Sequence, residues 1–179
     1  MIPNRKECIQ LMERYGMLNN IVAHSFEVTK VALFLSTELN QRGQRIDLHL
    51  VEAASLLHDI AKTTCLKTKE DHTQAGYYLL RDIGYARVGE IVAQHVWLQN
   101  GGDPSSVTEE EVVNYADKRV RHDQIVSLKE RFQDLKARYG KDQRSFDYLE
   151  RLEKMILEIE DKIFLILKID PDDIQILVD

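Results

Sequence analysis

Apolar residues recur at intervals of three and four along almost the whole of this 179-residue chain, and that spacing, one face of a 3.6-residue helix, constrains the fold more than any other feature. Only 8 Gly and 3 Pro interrupt it, too few for a many-turned sandwich or barrel. The pattern predicts a first helix from near Pro3 to Gly16. A second runs from about Asn19 to Arg42, with Ile21, His24, Val28, Val31, Leu35 and Leu39 on one stripe. Asp47 is a suitable N-cap for a third that reaches about Lys62 through His58. Asp71-x-x-Gln74 opens a fourth, which stops at Gly84, and Tyr85 to Leu98 forms a fifth, ended by Asn100-Gly101-Gly102-Asp103-Pro104. Thr108-x-x-Glu111 opens a helix bearing Val113, Ala116, Asp117 and Val120, and further helical pattern runs from Ile125 to Tyr139. Phe146, Leu149, Leu152, Ile156, Ile159 and Ile163 then mark one long amphipathic C-terminal helix, broken at Asp170-Pro171 before an apolar tail. Strand signal is close to absent, so the expected class is all-α.

The long helix could pack on its own domain or on a second copy in a homodimer; packing on its own domain is the expectation here. Residues 1–140 are expected as one domain and 141–179 as the helix and tail appended to it. The net charge of −6 provides no positive field for a long nucleic acid. No apolar run approaches the ~20 residues of a membrane span, and MIPNRKECIQ has no signal-peptide core. With Cys8 and Cys65 forming no disulfide or zinc framework, a reducing cytoplasm is expected.

Chemistry is concentrated in histidine. A neutral imidazole in an apolar stripe needs partners for its polar nitrogens, yet His24, His58 and His95 fall on inward faces, with Asp59 and Asp117 beside or after them and His72 in the first turn of the fourth helix. One inward histidine is readily satisfied by a carbonyl; burying this many imidazoles and carboxylates costs several kcal/mol per ion without a shared partner. A divalent cation offsets those costs together, and the ligand set suits iron, manganese, cobalt, nickel or zinc better than magnesium. The His-Asp dipeptide occurs twice, at His58-Asp59 and His122-Asp123. Only the first lies in an apolar context; the second sits among Arg119, Arg121 and Gln124 and reads as surface, with Asp123 an N-cap. Lys62, one turn after His58, is the favoured phosphate contact, and Lys118, Arg119 and Arg121 are expected at the rim. His49 reads as exposed, Trp97 as core or a pocket wall, and Cys65 lacks an activating partner.

His24-Ser25, Leu56-Leu57-His58-Asp59-Ile60-Ala61-Lys62 and Ala116-Asp117-Lys118 together resemble the H…HD…D signature of the HD superfamily of metal-dependent phosphohydrolases, over roughly Ile21 to Val126. The resemblance implies a helical bundle in which His24, His58, Asp59 and Asp117 ligate one divalent metal. His72 and His95 match the positions that hold a second ion in two-metal members, with Asp59 bridging; the pattern is similar to bacterial HD hydrolases that cut dinucleoside polyphosphates at a di-iron centre. Val96 and Trp97 follow His95, where some of those members carry an adjacent histidine. The implied activity is hydrolysis of a small phosphate ester or anhydride, a nucleotide first, by metal-activated water, with one or two ions and with Asp59, Lys62 and Arg119 in catalysis. Lys62-Thr63 stands where guanosine tetraphosphate hydrolases of the family carry Glu-Asp, and no Gly-Tyr-Pro follows as in cyclic di-guanylate enzymes. Two other classes remain open: a di-iron oxygenase, and a non-enzymatic scaffold binding a ligand or partner. The pocket walls are expected from the loops near Leu66–Glu70 and Asn100–Val107.

Overall fold

The computed structural model describes residues 1–99 and 103–178; Asn100, Gly101 and Gly102, where the sequence sets its sharpest break, lie outside them. The chain folds into helices α1 (Arg5–Arg14), α2 (Asn19–Gln41), α3 (Leu48–Leu57), α4 (Lys62–Thr68), α5 (His72–Asp82), α6 (Ala86–Val92) and α7 (Glu109–Lys118). A short hairpin, β1 (Val120–Arg121) and β2 (Gln124–Ile125), follows, then α8 (Leu128–Tyr139), α9 (Gln143–Leu167) and, past a 3-10 turn, α10 (Ile174–Leu177). The architecture is all-α apart from that hairpin.

Caps place the helix starts. Asp47 accepts from the amides of His49 and Leu50 to open α3, and reciprocal capping boxes open α7 (Thr108, Glu111) and α8 (Ser127, Glu130). Asp123, expected as an N-cap, sits instead in the hairpin turn, because Ser127 satisfies the first amides of α8. α2 lies at the centre, its stripe from Ile21 to Leu39 buried against α3, α7, α9 and the hairpin. α9 lays Leu149, Leu152, Ile156, Ile159 and Ile163 on α8, α7 and α2.

Two predicted helices end early, and both interruptions carry site residues. The third stops at Leu57, so that His58-Asp59-Ile60-Ala61 forms a turn and α4 starts anew at Lys62. The fifth stops at Val92 rather than Leu98. α5 and α6 meet closely at Gly76, where an added Cβ would stand 2.9 Å from Val92 Cγ1; the missing side chain lets His72, one turn earlier on α5, come up to His95 beyond the end of α6.

Candidate metal centre

His58 and His95 occupy equivalent local settings. Each follows the last residues of a helix, where backbone carbonyls have lost their intrahelical partners, and each turns its Nδ1–H back onto the carbonyl three residues earlier: His58 to Ser55 at 2.7 Å and His95 to Val92 at 2.7 Å. His24 donates from Nδ1 to the carbonyl of His122, at 2.8 Å. Each Nδ1 anchored in this way turns its Nε2, the nitrogen a metal would take, into the site.

The Nε2 atoms gather on two sides of Asp59. His24 Nε2 lies 2.9 Å from Asp117 Oδ1, and His58 Nε2 lies 3.6 Å from the same oxygen and 3.4 Å from Asp59 Oδ2. On the other side of Asp59, Oδ1 stands 3.4 Å from His72 Nε2 and 3.5 Å from His95 Nε2, and those two nitrogens face one another at 3.2 Å. Two groups result, His24–His58–Asp59 and Asp59–His72–His95, each with its donor atoms within 4.8 Å of one another. Asp117 adjoins the first, and Asp59 belongs to both. His58 Nε2 and Asp59 Oδ1 are buried and make no hydrogen bond among the described residues. Buried polar atoms rarely go without a partner, and these two point at the places where a cation would satisfy them. The donor set of imidazole and carboxylate therefore fits divalent metal.

Electrostatics keep the carboxylates ionised, and although burial lowers it, the adjoining Asp59 and Asp117 carboxylates raise the His58 imidazole above its ordinary value. Burial pushes the Asp59 and Asp117 carboxyls up, but His58 beside Asp59 and Lys118 beside Asp117 outweigh it and hold both well below the usual carboxylate range. Burial and the neighbouring His95 bring His72 down to about 4, so it is neutral at pH 7.

Lys62 donates to Asp59 Oδ2 at 2.7 Å, with its side chain 41% exposed at the mouth. Arg119 is a correction. Expected at the rim, it is fully buried, its Nε donating to the Val126 carbonyl, its NH1 to the Tyr115 hydroxyl, and Glu160 of α9 3.5 Å away. A buried guanidinium needs this set of acceptors, and they lie behind α7, away from the cleft. Lys118 likewise is buried, bridging Asp117 Oδ2 at 2.5 Å and the His95 carbonyl at 3.2 Å. His122 and His49 are exposed as expected; His122 contributes its carbonyl rather than its ring, at a left-handed φ of 59°. Trp97 is 39% exposed and stacks on Tyr148 of α9, ring centroids 5.5 Å apart. Sequence reasoning missed Asn114, which donates to the Gln94 carbonyl at 2.8 Å and so holds the turn bearing His95; its place on the face of Asp117 and Lys118, one turn earlier, was the available signal.

A cleft of about 330 Å³ opens beside the first group, lined in part by His24, Asp59, Lys62, His122 and residues of α8. Compared with known families, the chain matches the HD domain over residues 21–139, a span that contains the five residues of the two groups and Asp117. The chain belongs to the HD domain family. Among curated proteins, this HD domain chain is similar to two enzymes named tRNA (cytidine(56)-2'-O)-methyltransferase. One, from Thermoplasma volcanium, is 31% identical over 97 residues, covering 54% of this chain and 27% of the relative. The other, from Picrophilus torridus, is 30% identical over 143 residues, covering 72% of this chain and 40% of the relative. The HD domain chain thus spans less than half of either relative's length. No solved structure matches it. Among the described residues, no helix is long and apolar enough to cross a membrane.

Proposed function

We propose that this HD domain protein is a metal-dependent phosphohydrolase that cuts a phosphate ester or anhydride of a small molecule, a nucleotide in the first instance. The observation that carries the reading is Asp59: its two oxygens face two separate sets of imidazoles, and one of them is buried without a hydrogen bond. A carboxylate so placed suits two ions sharing a bridge. His24, His58, Asp59 and Asp117 would hold one ion, and Asp59, His72 and His95 the other. Bound there, divalent ions lower the pKa of water toward neutrality and polarise phosphoryl oxygens.

The chain's own residues orient and neutralise. The carbonyls of Ser55, Val92 and His122 fix the three imidazoles, so the donors need no rearrangement. Lys62, an ammonium at the mouth, meets a phosphoryl oxygen and offsets the charge that develops during transfer. Asp117 is steadied by Lys118, whose second bond to the His95 carbonyl ties the two groups together. Methyl transfer to tRNA, the activity named for the relatives, belongs to chains that this one covers by less than half, and the imidazole–carboxylate groups favour hydrolysis over it. Two free, buried cysteines fit a reducing compartment such as the cytoplasm.

The test is phosphate release from a nucleotide panel with added manganese, iron, cobalt or nickel. Asp59→Ala is expected to abolish release and to lower bound metal while the helical circular dichroism persists. Comparable turnover by wild type and variant would sink the reading; an electron paramagnetic resonance signal responding to substrate and oxygen, without phosphate release, would assign redox chemistry instead.

A further inference from the structure

The cleft beside His24 and Asp59 has a second wall, supplied by α8, that the proposed chemistry does not use. Arg131 and Arg138 line it together with Tyr139 and Lys62. Residues 131, 134 and 138 share one helical face by their spacing. Asp134 takes Arg138 through Nε and NH2 at 3.1 and 2.9 Å and Arg131 through NH1 at only 3.3 Å. One carboxylate thus holds two guanidinium groups in place without neutralising both.

Arg131 is poorly matched by its own protein. A guanidinium has five N–H donors, yet this one makes a single long bond, and its Nε is buried without an acceptor. Its side chain is 12% exposed, and its charge lies close enough to repel that of Lys62. The acids that line the cleft are Asp59, which Lys62 already pairs, and Asp123. Like cations kept together in a partly desolvated cleft with donors to spare are arranged for an anion with several oxygens, and guanidinium matches phosphate in a bidentate manner. The 330 Å³ of the cleft falls at the small end of ligand pockets, roughly 300–1,000 Å³, and exceeds what one phosphoryl group fills.

We propose that Arg131 and Arg138 form an anion subsite that receives a phosphoryl group beyond the one being cut, so that the enzyme prefers phosphoanhydride chains to simple monoesters. The inference rests on the hydrolase reading for its kinetic consequence, and its binding consequence is independent of it. Calorimetric titration of inorganic pyrophosphate into metal-depleted protein is expected to show binding by wild type, weakened about tenfold in Arg131→Gln, the loss of one charge-assisted contact. With manganese added, the same variant raises KM for a nucleoside diphosphate about tenfold and leaves kcat/KM for p-nitrophenyl phosphate unchanged. Arg138→Gln, at a more exposed position, gives the same split should Arg131→Gln fail to fold. Absence of pyrophosphate binding by wild type, equal binding by wild type and both variants, or equal KM changes for both substrates would overturn the subsite. If wild type releases phosphate from no member of the nucleotide panel, the hydrolase reading fails while the calorimetry still decides the subsite.

Discussion

His72 shows what the environment of one side chain does to pH dependence. Its folded pKa of about 4 lies below the ordinary imidazole value of 6.5, so between those values the unfolded chain binds the extra proton and the folded chain does not. Stability from this residue is therefore complete above pH 6.5 and is lost as pH falls toward 4. For a side chain 27% exposed, the loss between pH 7 and pH 5 comes to about 1–2 kcal/mol. Urea melts of chelator-treated protein should show it, and His72→Gln should flatten the slope by that amount; equal slopes would contradict the burial of this ring. At this scale the six imidazole and carboxylate residues that the structure brings together were legible in the sequence, because titratable groups on apolar stripes are conspicuous. What could not be read were the carbonyls of Ser55, Val92 and His122, since every residue carries one and only chain geometry singles out three.

Helix boundaries were legible wherever side-chain chemistry marks them. Asp47 and Thr108 stand where the sequence places them. The breaks at Leu57 and Val92 were not, because apolar spacing runs straight through His58 and His95 while the backbone departs from the helix. The hairpin was invisible for another reason: strands of two residues contain no period to detect. That hairpin explains Arg119. Beside Asp117 in sequence, it reads as a rim cation, but the chain reverses immediately after it and turns its side chain onto Val126, Tyr115 and Glu160. The pairing ties α7 and the hairpin to α9. Arg119→Met leaves Glu160 and the Val126 carbonyl without their cation in the interior, and should cost about 3–5 kcal/mol in chemical denaturation. An unchanged midpoint would remove the network from the account of how α9 is held.

Across the whole molecule, the helices that bear donors also bury the core. α2 brings His24 from the centre, α7 brings Asp117, and Lys162 of α9 pairs with buried Glu111 on α7 at 2.8 Å. Because apolar burial holds these helices, depletion of metal should leave the helical circular dichroism and the sedimentation behaviour unaltered, unlike small zinc modules that unfold without their ion. Collapse of the helical signal on chelation would show that the cations hold the fold.

The props beneath the imidazoles carry one last consequence. A nest whose rings are already braced by peptide oxygens exists before any ion arrives, so folding exerts little choice over which element settles there. Selection passes to the surroundings, to whichever transition metal is abundant when the newly made chain is filled. Samples made in iron-rich and manganese-rich media are then expected to differ in the metal they carry while sharing one shape.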